Sequence, residues 1–158
     1  MGRDKASIRL QDRRLLTLIK RESLKTDWPV RVIRKDAVKR CGPLGGIYTG
    51  LKRCKVDAVI FIACDMPFVS AAHLKHVARA LTTKSSAAFT KQNSYATFPF
   101  AIRTTALNQV AEQIKTGDFS LQTLARKLRA KFVRAEKSEL FDIDTPEDLA
   151  IARKRLNS

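Results

Sequence analysis

Residues Val56–Ala63 read VDAVIFIA, the most apolar stretch of the chain, interrupted only by Asp57. The stretch is far shorter than the ~20 residues that cross a bilayer. A strand with one wet face would alternate apolar and polar side chains, and this one does not. The run therefore predicts a strand covered on both faces, as the central and usually parallel strands of layered α/β domains are. Asp65-Met66-Pro67 ends it.

Such a strand needs helices to cover it, and apolar residues at helical spacing supply them. Leu15, Leu18 and Ile19 mark a helix within Asp12–Lys25, broken by Trp28-Pro29. A helix through Ile47 and Leu51 follows a predicted loop at Cys41–Gly46. Leu74, Val77, Ala78 and Leu81 share one face of a helix over 71–81. Leu107, Val110, Ala111 and Ile114 mark another, stopped by Gly117, and Leu121, Leu124, Ala125 and Leu128 the next. The last helix begins at Thr145 as N-cap, with Pro146 at its first position and Glu147-Asp148 complementing the dipole. Ser86–Thr90 and Tyr95–Ile102 read as strands around a turn, with shorter candidates at Val30–Ile33, Lys131–Val133 and Leu140–Ile143. Strands alternating with helices predict a three-layer α/β domain with a mostly parallel sheet. The 158 residues suit one domain, 1–158, with one sizeable core.

Composition bounds the partners. Lys and Arg number 31 against 15 Asp and Glu, a formal net charge of +16. Cations in such excess call for anionic company: nucleic acid, a membrane surface or phosphate-bearing small molecules. The basic residues form no long block or tail. Only 7% of residues are aromatic, and they do not interleave with the basic ones as a base-stacking platform requires. A soluble surface that happens to be basic is favoured over dedicated nucleic-acid binding, and no segment suits a membrane. MGRDKASIRL is no secretory signal. Cys41, Cys54 and Cys64 are odd in number and lack metal-ligand spacing, so a reduced, cytoplasmic protein is expected.

In open α/β sheets ligands sit outside the carboxyl ends of the strands, where Asp65 falls. One reading makes it a holder of Mg²⁺ carrying a polyphosphate, since Mg²⁺ takes one or two carboxylates and fills its shell with water and phosphate. The other reading, equally weighted, is a chain-turning Asp-x-Pro. Gly42-Pro43-Leu44-Gly45-Gly46 either lets a nucleotide rest on the backbone or turns a loop into a helix, the latter being favoured. Asp142 and Asp144 share one side of an extended stretch, where they either meet Asp65 or a substrate, or serve as a cap and a solvated side chain. His73 and His76, three apart, could share a metal, although exposed helix histidines are commoner. Phe89, Phe98 and Phe100 read as core.

Together these pieces resemble the molybdenum cofactor guanylyltransferases. GPLGGI at Gly42–Ile47, ACDMPF at Ala63–Phe68 and DIDTPEDL at Asp142–Leu149 follow in that family's order and approximate spacing. MGRDKA at Met1–Ala6 resembles the second half of its opening motif, GG-x-S-x-R-M-G-x-D-K. FAIR at Phe100–Arg103 is similar to its F-A-L-Y segment, and GDFSLQTL at Gly117–Leu124 to a later helix start. The resemblance implies a nucleotide-diphospho-sugar transferase-like, Rossmann-like fold. It implies transfer of GMP from Mg²⁺-GTP to the terminal phosphate of molybdopterin, with pyrophosphate released. By it, Lys5 matches the lysine on the nucleotide phosphates and Asp65 the magnesium-binding aspartate. Asp36 matches the aspartate holding base and ribose, with Gly42, Pro43, Leu44 and Gly45 along the nucleotide. Asp142 and Asp144 fall where the family carries asparagines near molybdopterin. The implied partners are GTP, molybdopterin and molybdoenzyme maturation proteins.

The departures shape the expectations. The chain opens inside the first motif, so a truncated N-terminus without the usual first strand and L-A-G-G loop is expected. Lys39-Arg40 stands where Pro-Gly is usual, and Asp142 and Asp144 are closer to the cytidylyltransferase relatives. The alternatives are another nucleotidyltransferase, a cytidylyltransferase among them, or a non-catalytic phosphate-binding domain of the same fold.

Overall fold

In a computed structural model the described residues are 9, 10 and 13–156. Two short strands, β1 (Arg9–Leu10) and β2 (Arg13–Arg14), pair antiparallel before helix α1 (Leu15–Leu24). Then come α2 (Gly42–Arg53), β3 (Ala58–Phe61), α3 (Ala71–Arg79), β4 (Ala87–Gln92) and β5 (Tyr95–Arg103). A 3₁₀ turn at Thr104–Ala106 leads into α4 (Leu107–Lys115), followed by α5 (Leu121–Lys127), β6 (Lys131–Arg134) and α6 (Pro146–Leu156).

The main sheet has the order β3-β5-β4-β6. β5 runs antiparallel to both of its neighbours and β6 lies parallel to β4, so β3, β4 and β6 share one direction. The expected mostly parallel α/β sheet is therefore present, with β5 the reversed strand. Helices cover both faces. Ala87, Phe89, Phe100 and Ile102 pack with Leu44, Ile47 and Leu51 of α2, Val110 of α4 and Leu124 of α5. Ala88 and Ala101, on the opposite face, pack with Val77 of α3 and Val133 of β6. The split follows from the pleat, which sends neighbouring residues to opposite faces. Phe89 and Phe100 are cross-strand partners, their rings stacked 4.3 Å apart at 11°, and Phe61 stacks on Phe100 at 5.4 Å. Each fully buried ring contributes about 1.5–3 kcal/mol.

Three local expectations fail. β3 is four residues long, half-buried at Ala58, Val59 and Ile60, and at the edge of the described sheet instead of its centre. The β4–β5 hairpin causes this, because the returning β5 inserts between β3 and β4. Residues 30–33 form no strand, and Val32 and Ile33 are exposed. Residues 140–143 are turn and irregular chain, tied down by contacts instead of a ladder.

Candidate nucleotide-binding site

Helix α2 doubles back into β3 through the short connection 54–57, so the N-terminal end of α2 and the carboxyl end of β3 lie toward the same side. Gly50, in the last turn of α2, abuts Phe61 at the end of β3: a Cβ there would lie 2.6 Å from the ring. Gly42–Gly46, expected to be a loop, is instead the start of α2, with Pro43 in its first turn and Gly42 at φ +50°. Proline tolerates that position because the first-turn N–H is unpaired in any case.

The glycines admit the preceding segment. A Cβ on Gly45 would lie 2.9 Å from the Asp36 Oδ2 and 3.0 Å from the Val38 carbonyl. The Ala37 N–H donates to the Thr49 hydroxyl at 2.8 Å, and that hydroxyl donates to the Gly45 carbonyl at 2.7 Å. Thus Asp36, exposed, is held beside Gly45 and Gly46 at the N-terminal part of α2. The sequence grouped Asp36 with Gly42, Pro43, Leu44 and Gly45 only by resemblance, and the fold brings Asp36 and Gly45 into contact. Leu44 itself is fully buried in the main core, so its side chain holds the helix down.

Asp65, half-buried, lies four residues beyond β3. Its backbone carbonyl accepts the Ile143 N–H at 3.0 Å. That bond fastens the strap 140–144 to the carboxyl end of β3. Ile143 is fully buried with Leu10, Leu15, Leu18 and Ala152, while Asp142 and Asp144 on either side of it are exposed. The two aspartates thus lie at the surface on either side of a buried anchor. Beyond them Thr145 and Asp148 cap α6 reciprocally. The Asp148 N–H donates to the Thr145 Oγ1 at 3.1 Å, and the Thr145 N–H donates to the Asp148 Oδ2 at 2.8 Å. Arg155 of α6 lies 4.5 Å from the Phe141 ring centroid and 5.6 Å from that of Phe68, bracing the strap against the segment after Asp65. Lys5 lies outside the described residues. Among those residues no three His, Cys, Asp or Glu side chains converge to cage a metal ion, so what the chain offers here is isolated carboxylates.

A neighbouring polar network was not visible in the sequence. His73, expected to be exposed, is buried. The Thr90 hydroxyl donates to the Pro99 carbonyl at 2.6 Å, so its oxygen accepts from the His73 Nε2–H at 2.8 Å. The His73 Nδ1 lies 4.0 Å from Glu139. Burial pushes the His73 pKa below its ordinary value of 6.5; Glu139 opposes that shift and His76 adds to it. Glu139 also accepts from the Ser70 N–H and hydroxyl, which helps satisfy the start of α3. Ser70 and Glu139 are 69 residues apart, so no local pattern could announce the pairing.

A sheet with helices on both faces, three strands ending toward one side and the Asp65 and Asp142 segments joined at that side is the architecture of nucleotidyltransferases. The MobA-like NTP transferase domain matches residues 19–132, and the chain belongs to that family. Over 115 residues it is 27% identical to the molybdenum cofactor guanylyltransferase of Acinetobacter baumannii, covering 71% of this chain and 55% of that protein. A 57-residue stretch is 37% identical to the molybdenum cofactor guanylyltransferase of Syntrophotalea carbinolica, covering 36% of this chain and 27% of that protein. The chain thus spans about half, or less, of these curated relatives. The molybdopterin-guanine dinucleotide biosynthesis protein A of Archaeoglobus fulgidus shares the fold at a TM-score of 0.76 and 19% identity, covering 99% of this chain and 92% of that one. The 2-C-methyl-D-erythritol 4-phosphate cytidylyltransferase of Thermus thermophilus does so at 0.69 and 17%, covering 98% and 94%. No helix among the described residues is long and apolar enough to cross a membrane.

Proposed function

We propose that this domain transfers GMP from Mg²⁺-GTP to the terminal phosphate of molybdopterin and releases pyrophosphate. The observation that carries the reading is the bond from the Ile143 N–H to the Asp65 carbonyl, 3.0 Å, which joins the two acidic segments at one end of the sheet. The donors the described residues offer here fit the metal: isolated carboxylate oxygens with no group of three ligating side chains among the described residues, leaving water and substrate phosphates to complete the shell. Asp65 would hold it. When bound, Mg²⁺ offsets phosphate charge and polarises the α-phosphate.

The remaining work falls to the chain's own groups. Lys5 offers its ammonium to the triphosphate, and Asp36, held beside Gly45, accepts hydrogen bonds from ribose or base. The N-terminal end of α2 adds a partial positive charge. An oxygen of the acceptor phosphate forms a bond to the α-phosphorus. The α–β bridging bond breaks, and its electron pair leaves with pyrophosphate. The attacking phosphate is largely dianionic at neutral pH, its second pKa being about 6, so no general base is required. Catalysis rests on positioning and charge stabilisation. On this reading the partners are GTP, molybdopterin and molybdoenzyme maturation proteins, and the compartment is the cytoplasm.

The exposed carboxylates of Asp142 and Asp144, in place of amides, favour a second reading, cytidylyl transfer. Calorimetric titration with GTP and with CTP, each with Mg²⁺, separates them. The expected result is heat with GTP that disappears in Asp65→Ala. Equal heats for both nucleotides would remove the guanine assignment, and unchanged affinity in Asp65→Ala would remove that residue from the site. Nucleotide binding without pyrophosphate release when acceptor is added would leave a phosphate-binding domain without turnover.

A further inference from the structure

Two irregular segments meet beyond β3. Residues 65–70 lead toward α3 and residues 139–143 form the strap, and neither is a strand. They nevertheless run side by side in opposite directions. At one end the Ile143 N–H donates to the Asp65 carbonyl at 3.0 Å. In the middle the Phe68 and Phe141 rings lie 6.0 Å apart, and Leu140 packs in one cluster with Met66 and Val69. At the other end the Ser70 hydroxyl donates to the Glu139 Oε1, which also accepts the Ser70 N–H at 3.3 Å. Apolar contacts are non-directional and can slide. The hydrogen-bonded ends therefore fix the register of one segment on the other.

Each partner at the Glu139 end is held by its own segment. The Glu139 side chain is 14% exposed. Its turn aims it: the Glu139 N–H donates to the Glu136 carbonyl at 3.0 Å, and the Glu136 N–H donates back to the Glu139 Oε2 at 3.3 Å. The Ser70 Oγ accepts the His73 N–H at 3.0 Å and so caps α3, while the Ala71 N–H donates to the Glu22 Oε1 at 3.1 Å. A bond between two such anchored groups transmits position. Asp142 follows Glu139 by three residues, and Asp65 precedes Ser70 by five.

We propose that Glu139 is a positioning residue for the transfer: through Ser70 it sets the strap bearing Asp142 at a fixed offset from Asp65, so that acceptor and nucleotide meet in a reactive geometry. The inference rests on the transfer reading above. Reach is what matters in this role, and charge is not. Glu139→Gln keeps the length and an oxygen that accepts from Ser70. Glu139→Asp keeps the charge and is one methylene shorter, so the bond to Ser70 breaks or the strap is drawn out of place.

The test compares these two variants with wild type in the full chain. Glu139→Asp should lower kcat for pyrophosphate release about tenfold or more, as a small misplacement of reacting groups does, with GTP affinity by calorimetry kept. Glu139→Gln should stay near the wild-type rate. Hydrogen exchange of the Ile143 amide, followed by NMR, reads the far end of the pairing without any reaction. It should quicken in Glu139→Asp and stay slow in Glu139→Gln, because local opening sets its rate. A wild-type kcat in Glu139→Asp, or an equal loss in both variants, overturns the proposal. So does faster exchange confined to the first turn of α3, which would reduce Glu139 to a helix cap. Release by wild type with Ile143 equally protected in all three proteins strikes the positioning role alone. No release by wild type, with Ile143 loosened only in Glu139→Asp, strikes the transfer reading and upholds the link from Glu139 to the strap.

Discussion

At Gly45 a side chain would meet the Val38 carbonyl at 3.0 Å and the Asp36 carboxylate at 2.9 Å, whereas at Gly117, φ +74°, it would meet nothing within 4 Å. The carboxylate can swing aside. The carbonyl cannot, because the Ala37 N–H is anchored to Thr49. Gly45→Ala should therefore cost about 1–3 kcal/mol as an overpacked contact and weaken nucleotide binding through Asp36. Gly117→Ala should cost only the left-handed backbone strain of about 1–2 kcal/mol, with nucleotide affinity kept. Urea midpoints and nucleotide titration of both variants check this, and full nucleotide affinity in Gly45→Ala would detach Asp36 from the site. His73 gives a pH prediction. Its pKa is lower folded than unfolded, chiefly because burial disfavours the charged ring. The unfolded chain then binds the proton more readily, so this contribution to stability is complete above about pH 6.5 and lost as pH falls below it toward the lower folded value. The melting temperature of wild type should fall more steeply between about pH 7 and pH 5 than that of His73→Gln, which keeps a donor for Thr90. Parallel curves would mean His73 does not titrate differently on folding.

Among the elements, helix α6 is the one whose start was most legible. Thr145, Pro146 and Asp148 announce it, and Thr145 and Asp148 do bond each other's backbone. Thr145→Ala should cost about 1 kcal/mol, the usual worth of an N-cap, seen as a lower urea midpoint with unchanged slope. An unshifted midpoint would show that the packing of Ala152 and Leu149 alone holds α6 in place. The β4–β5 hairpin was equally legible, because two strand-like runs and the polar turn between them lie within one short segment. Strand β3 was misplaced. Its apolar run reports that both faces need cover, and the run carries no information on which strand pairs with it. The GPLGG segment was misread as a loop because glycine is a poor helix former. Here the close packing of Asp36 and Val38 against Gly45 outweighs that preference.

For the whole molecule, the charge of +16 should govern association with polyanions. Raising salt from about 0.1 M to about 1 M shortens the Debye length from about 10 Å to about 3 Å. The affinity for GTP should fall across that range, and equally for CTP, since the field does not distinguish bases. A salt-insensitive affinity would mean that local contacts, not the basic surface, hold the triphosphate. The sequence by itself determined the helical faces, the caps, the hairpin and the acidic motif segments, because periodicity and capping act over a turn or a pleat. Only the tertiary structure decided that β3 lies at the edge of the described sheet, that His73 is buried against Thr90, that Asp36 lies on Gly45, and that the Ile143 N–H reaches the Asp65 carbonyl. Those facts depend on residues far apart along the chain, whose meeting is fixed by the order of strands in the sheet and by what each face of the sheet has left to bury.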